Sequence, residues 1–145
     1  WVGSLSPRTY RESVAPYSSM VAQRVAGVVS PVTGCRAPLI HFGTGSAPIL
    51  ADMAEVGADC VGVDWKTDLS WAVTQVPGKA VQGNLDPALL QAPWHVIEQA
   101  VRDILDAGRS APGHVFNLGH GVPPTTDPDV LTRIVELVHE LGDER

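Results

Sequence analysis

Hydrophobic positions in this 145-residue chain change their period as it advances, and the changes divide it into helices and strands. Ser6-Pro7 places a hydroxyl cap before a proline at the first helical position, where a missing N–H costs nothing. Tyr10, Val14, Tyr17, Val21 and Val25 then recur at helical spacing. The spacing predicts an amphipathic helix running toward Val29, bent or split at Pro16. Residues 30–34 end it as a loop. Short, uninterrupted apolar runs follow at 38–42, 59–63, 79–82 and 114–118, and these read as strands. Each ends in a turn bearing Gly, Asn or Asp: Gly43-Thr-Gly-Ser46, Asp64-Trp65, Gly83-Asn84 and Gly119-His-Gly121.

Helical patterns separate the strands. One over 47–56 is expected to be capped by Ser46 and closed by a left-handed Gly57. A short one covers 68–74. After an Asp86-Pro87 start, residues 94–105 put Val96, Ile97, Ala100, Val101 and Ile104 on one face. Asp127-Pro128 opens the last, with Val130, Ile134, Leu137, Val138 and Leu141 on its buried side. A helix followed by four strand–turn–helix units implies an α/β fold with a parallel sheet and right-handed crossovers. Residues 39–42, 60–63, 80–82 and 115–118 should lie parallel, with their carboxyl ends at one face. Continuous apolar strands suggest cover on both sides. Such units make either a small open sheet or half of an eight-stranded barrel. The opening Trp1-Val-Gly-Ser-Leu-Ser-Pro7 reads as a loop after a strand that the sequence lacks. That favours the half barrel, and with it a piece of a longer protein.

Composition narrows the picture. With 44% hydrophobic and 18% charged residues the chain can build one domain with its own core. A net charge of −6 argues against a general nucleic-acid surface, which needs a basic patch. No apolar run reaches the roughly 18–20 residues of a membrane span. No charged segment followed by an apolar one opens the chain as a secretion signal would. Cys35 and Cys60 have no second ligand at a usable spacing. They read as reduced, mostly buried thiols of a cytosolic protein, with neither a disulfide nor a bound metal expected.

The candidate chemistry gathers after the last strand, where His120 stands between two glycines. In parallel α/β folds ligands bind just past the carboxyl ends of strands. Small neighbours would let a ligand approach the backbone closely. A turn histidine bonded to a neighbouring loop fits the local pattern equally well. Elsewhere structural roles are expected: a loop-capping Asp64 and a packing Trp65, a turn-holding Asn84 and a helix-capping Asp86. His41 reads as a satisfied core histidine, and His95, His114 and His139 as surface residues. Arg8, Arg11, Arg24, Arg102 and Arg133 fall on solvated outer faces of helices.

Taken together, several segments resemble the uroporphyrinogen decarboxylases of haem and tetrapyrrole biosynthesis. They are Trp1-Val-Gly-Ser-Leu-Ser-Pro7 with Tyr10 and Glu12, Pro16-Tyr17, Gly62-Val-Asp-Trp65, Val81-Gln-Gly-Asn-Leu-Asp-Pro87, Asn117-Leu-Gly-His-Gly121 and Val138-His-Glu140. Gln-Gly-Asn-Leu-Asp-Pro and Asn-Leu-Gly-His-Gly, in this order and spacing, carry most of the signal. The resemblance implies that residues 1–145 are the C-terminal half, strands five to eight, of a (β/α)8 TIM-type barrel whose N-terminal half is absent. It implies removal of the four acetate carboxyls of uroporphyrinogen III to give coproporphyrinogen III, without a cofactor. Protonating the electron-rich pyrrole makes the substrate its own electron sink. The enzyme then supplies an acid near the ring carbon and an anion beside the pyrrole N–H groups. Of the family's site residues (an Arg-rich loop, an Asp, a Tyr, a Ser and a His), the chain holds the His alone, as substrate-binding His120. The Ser would sit directly before Trp1. This half by itself is therefore expected to be inactive. A homodimer in the cytoplasm is implied as well.

Two other classes were weighed. Related corrinoid- and zinc-dependent methyltransferases need a His-x-Cys after the first of these strands and a Cys after the third. Phe42 and Asp86-Pro87-Ala88 stand there instead. A non-catalytic half-barrel scaffold would need a second copy to cover its edge strands.

Overall fold

The computed structural model describes residues 2–143; Trp1, the first residue of the opening motif, lies outside them. Pro16 splits the predicted first helix into α1 (Pro7–Ser13) and α2 (Ala15–Val25). The Ser6 hydroxyl caps α1 by accepting from the Thr9 N–H. Then come β1 (Ile40–Phe42), α3 (Leu50–Glu55), β2 (Cys60–Gly62), α4 (Leu69–Gln75), β3 (Ala80–Gln82), α5 (Trp94–Gly108), β4 (His114–Val115) and α6 (Pro128–Asp143). The four strands form one parallel sheet in the order β1-β2-β3-β4, with Ile40 beside Cys60, Cys60 beside Ala80 and Val81 beside His114. All carboxyl ends therefore open on one face, as expected.

The last strand is shorter than its apolar run. Gly83, at φ 134°, turns the chain out of the β3 ladder, so pairing lapses after Val115. It resumes as a single parallel bridge between Leu85 and Leu118. Asp86 follows the expected chemistry, accepting from the Ala88 N–H at a 3-10 turn. Asp68, placed by the pattern inside its helix, instead caps α4 by accepting from the Trp71 N–H. Ser46 does not cap. Its backbone is already helical, Pro48 removes one donor, and the Ile49 N–H bonds the Ser46 carbonyl instead. Its buried hydroxyl consequently has no hydrogen-bond partner.

Alternation along the strands divides the sheet into two unlike faces. Val61 and Val81 point toward the helices and pack with Leu50, Ala54, Leu69, Ala72 and Val76. His41 points the same way and donates from Nδ1 to the Met53 carbonyl at 3.2 Å, as a satisfied core histidine should. A second cluster joins Leu85 and Leu90 to Ile97, Val101 and Leu105 of α5 and Ile134 and Leu137 of α6. On the other face Ile40, Phe42 and Val115 stay 41%, 45% and 48% exposed. The continuous apolar strands are thus covered on one side within this chain, not on both. The α2 stripe is bare too: Tyr17 and Val21 are exposed and border an apolar groove of about 430 Å³ with Leu39 and Ile40.

Cys60 is buried, whereas Cys35 is exposed on a hairpin-like loop closed by the Val29–Arg36 bridge. Burial pushes the Cys60 thiol up from its ordinary range. The loop is clasped by Asp59, which accepts from both terminal nitrogens of Arg36 at 2.9 and 2.5 Å and from the Leu39 N–H at 2.8 Å. The Arg36 guanidinium, with that N–H, holds the Asp59 carboxyl at about 2. A carboxyl depressed in the folded state stabilises the fold fully above its unfolded value near 4, and the contribution is lost as pH falls toward about 2. Acid unfolding should show this. Asp59→Asn should flatten the decline in stability between about pH 4 and 2 and leave the higher-pH profile parallel to that of the unsubstituted chain. An unchanged profile would mean the clasp carries no stability.

Candidate functional site

Three of the turns and the opening 3-10 turn meet at the carboxyl end of the sheet and enclose a cavity of about 260 Å³. Its walls are Gly3, Ser4, Thr44, Gly45, Trp65, Lys66 and His120. Asp64 organises it. Fully buried just past β2, it accepts from the backbone N–H of Gly45 and of Lys66 (3.2 Å) and from the Thr67 hydroxyl (2.9 Å). This is the loop-capping role expected of it, extended across to the turn after β1. Asn84, also buried, donates its amide to the carbonyls of Asp64 (2.8 Å) and Thr67 (2.6 Å). It holds the turn and does not line the cavity.

His120 is exposed and meets the Trp65 ring edge to face, with centroids 5.4 Å apart and planes at 72°. Trp65 therefore packs, as expected, but what it packs against is the candidate histidine. The two glycines beside His120 do different work. Gly121 has open space where a side chain would go, which leaves the imidazole accessible. Gly119 is buried against the backbone of Trp65, where an added Cβ would overlap the Trp65 nitrogen and Cα. Its N–H donates to the Leu85 carbonyl at 2.8 Å. Of the two glycines expected to leave room, Gly121 borders open space, whereas at Gly119 the space is already filled by protein.

His114 departs from the surface role expected of it. It is half-buried, donates from Nε2 to the Gly83 carbonyl at 2.7 Å and lies against Gly108, where any larger residue would strike the ring. Its place at the start of a short strand concealed that packing. Lys66 was missed as well, because a lone lysine after Asp-Trp has no local signature. Its ammonium sits 5.0 Å from the centre of the Trp65 ring.

Arg8, Arg11, Arg24, Arg102 and Arg133 are exposed on their helices. Arg11 pairs with Asp52, Arg102 with Glu98, and Arg133 stacks on Trp94. Among the described residues no group of three or more His, Cys, Asp or Glu side chains is placed to hold a metal. Neither cysteine lies among the residues lining the cavity. No described helix is long and apolar enough to cross a membrane.

The fold is that of a parallel α/β protein with a cavity at the carboxyl ends of its strands, the end at which such folds bind ligands. Residues 1–141 match the uroporphyrinogen decarboxylase (URO-D) family, and the chain belongs to it. Curated relatives called uroporphyrinogen decarboxylase include that of Salinispora tropica, 56% identical across 97% of this chain. Those of Arthrobacter sp. and Streptomyces coelicolor are 51% and 54% identical across 99% and 96% of it. The chain spans 36%, 40% and 38% of the three relatives' own lengths. Among solved structures, a methyltransferase from Methanosarcina mazei superposes with a TM-score of 0.73 over 94% of this chain and 38% of its own. At 19% identity that likeness concerns the fold alone.

Gly119 supplies a direct check on this geometry. Gly119→Ala forces backbone against backbone, so it should cost roughly 1–3 kcal/mol in chemical denaturation, the usual range for overpacking. Gly121→Ala, facing open space, should cost well under 1 kcal/mol. Equal effects would contradict the packing of the His120 turn on Trp65.

Proposed function

We propose that the protein containing this chain is a cofactor-independent uroporphyrinogen decarboxylase, and that residues 1–145 form the C-terminal half of its barrel. The observation that carries the reading is the family match over residues 1–141, with its Asn-Leu-Gly-His-Gly segment at the cavity. The bare sheet face supports the half-barrel assignment, since Ile40, Phe42 and Val115 are apolar yet exposed. So does the apolar groove along β1, an edge strand. A preceding half would cover both and leave the carboxyl-end cavity as one wall of a larger mouth.

In the reaction, a proton adds to the pyrrole α-carbon next to the carbon bearing an acetate arm, leaving the arm-bearing carbon conjugated to the cation. The bond from the arm's CH2 to its carboxylate then breaks, CO2 leaves, and the electron pair forms an exocyclic C=CH2 bond. Protonation of that CH2 and loss of the proton first added to the ring leave a methyl group on an aromatic pyrrole, and four rounds give coproporphyrinogen III. His120 suits a binding role: exposed, steadied by Trp65, and able to donate to a substrate carboxylate more strongly when protonated. The acid and the anion that steadies the cationic ring belong to the other half, so this segment alone is inactive. The reading carries with it a homodimer in the cytoplasm.

The test is turnover by the full-length polypeptide. Uroporphyrinogen III incubated anaerobically should give products with seven, six, five and four carboxyls, resolved by chromatography after oxidation. His120→Ala should fold normally and slow turnover about ten- to hundredfold, the worth of one hydrogen bond to a charged group. A folded full-length protein that removes no carboxyl would overturn the reading. An unimpaired His120→Ala would remove His120 from the site.

A further inference from the structure

We propose that Lys66 is a carboxylate-binding residue of this site, gripping an acidic arm of the tetrapyrrole across the Trp65 indole from His120. The inference rests on the decarboxylase reading and adds to it a contact that neither the opening motifs nor the family's site residues supply.

Three observations carry it. First, Lys66 is the only Lys or Arg among the described residues that line the cavity. Second, its charge is uncommitted. Arg11, Arg36, Arg102 and Arg109 each pair with a carboxylate, whereas Lys66 forms no ion pair among the described residues. A lysine left unpaired at a cavity wall, in a chain of net charge −6, offers a polyanion a local attraction that the molecule as a whole lacks. Third, the residue is held in place from below. The Lys66 N–H donates to Asp64, the Thr67 hydroxyl fixes the same carboxylate, and Asn84 bonds the carbonyls on either side of Lys66. Only the side chain remains free to move, and its ammonium already rests over the Trp65 ring.

The indole therefore serves two neighbours. Its edge-to-face contact orients His120, and its face steadies the ammonium, as aromatic faces attract cations. An arm entering the cavity would meet an imidazole on one side and an ammonium on the other. The cavity, at about 260 Å³, takes an arm rather than a whole macrocycle. This fits a contact at the rim, made as the octacarboxylate settles.

The experiment uses the full-length protein and two stable probes, uroporphyrin with eight carboxyls and coproporphyrin with four, titrated by fluorescence beside the turnover assay. Lys66→Met keeps the apolar stem over the indole and removes the charge; Lys66→Arg keeps the charge. Lys66→Met should weaken uroporphyrin binding about tenfold, the loss of one charged contact, and flatten its dependence on salt. In turnover the loss should appear in KM rather than kcat. Lys66→Arg should restore affinity to within about threefold, and the melting temperatures should match. If Lys66→Met binds as tightly as the unsubstituted protein, or Lys66→Arg loses as much as Lys66→Met, the lysine merely packs on Trp65 and the proposal fails. A protein that binds uroporphyrin through Lys66 without decarboxylating it would retain this contact and overturn the activity. One that does not bind uroporphyrin at all overturns both.

Discussion

A carboxylate removed from water is tolerable only where N–H and O–H groups surround it, and Asp64 meets that condition with donors from two separate turns. The consequence is geometric. By accepting from Gly45, Asp64 ties the turn after β1 to the turn after β2. Asn84, bonded to the Asp64 and Thr67 carbonyls, brings in the turn after β3. Gly119, seated on the Trp65 backbone and bonded to Leu85, adds the turn after β4. Four loops that would otherwise move independently become one rigid rim. The backbones of Trp65, Lys66 and His120 are presented from it in fixed positions, with the exposed Lys66 side chain resting over the Trp65 ring.

The chain's cationic side chains divide between its outer surface and the cavity. Half of its eight arginines form ion pairs on the outside: Arg11 braces α1 against Asp52 of α3, Arg36 is clasped by Asp59, and Arg102 and Arg109 pair along or beside α5. These exposed pairs contribute little stability individually. None of these paired arginines lines the cavity, whose described walls include Lys66 and His120.

Much of the fold was legible because period and punctuation agreed. The four apolar runs became the four strands, Pro16 divided the first helix, and Ser6 and Asp86 bonded the helix starts they precede. What escaped depended on contacts between distant segments. Ser46 looked like a cap by its neighbours, but Pro48 and the Ile49–Ser46 bond left it nothing to bond. His114 looked like a surface residue, yet it is half-buried between Gly83 and Gly108, some thirty positions upstream and six upstream. Gly119 was legible as a small residue but not as a crossing point over Trp65. The bare face of the sheet was illegible for another reason: a strand covered on both sides and one awaiting cover have the same apolar composition. His120 could be singled out from its position after the last strand, whereas its pairing with Trp65 could not, since edge-to-face packing leaves no local pattern.

The central claim is that the Asp64-organised rim is one wall of a tetrapyrrole site. A crystal structure of the full-length protein with coproporphyrinogen bound, grown without oxygen, tests it most directly. The account predicts a product carboxylate within hydrogen-bond distance of His120 and another group of the ligand near Lys66, with Asp64 still bonded to Gly45 and Thr67. A tetrapyrrole seated elsewhere, with His120 and Lys66 facing only solvent, would contradict it.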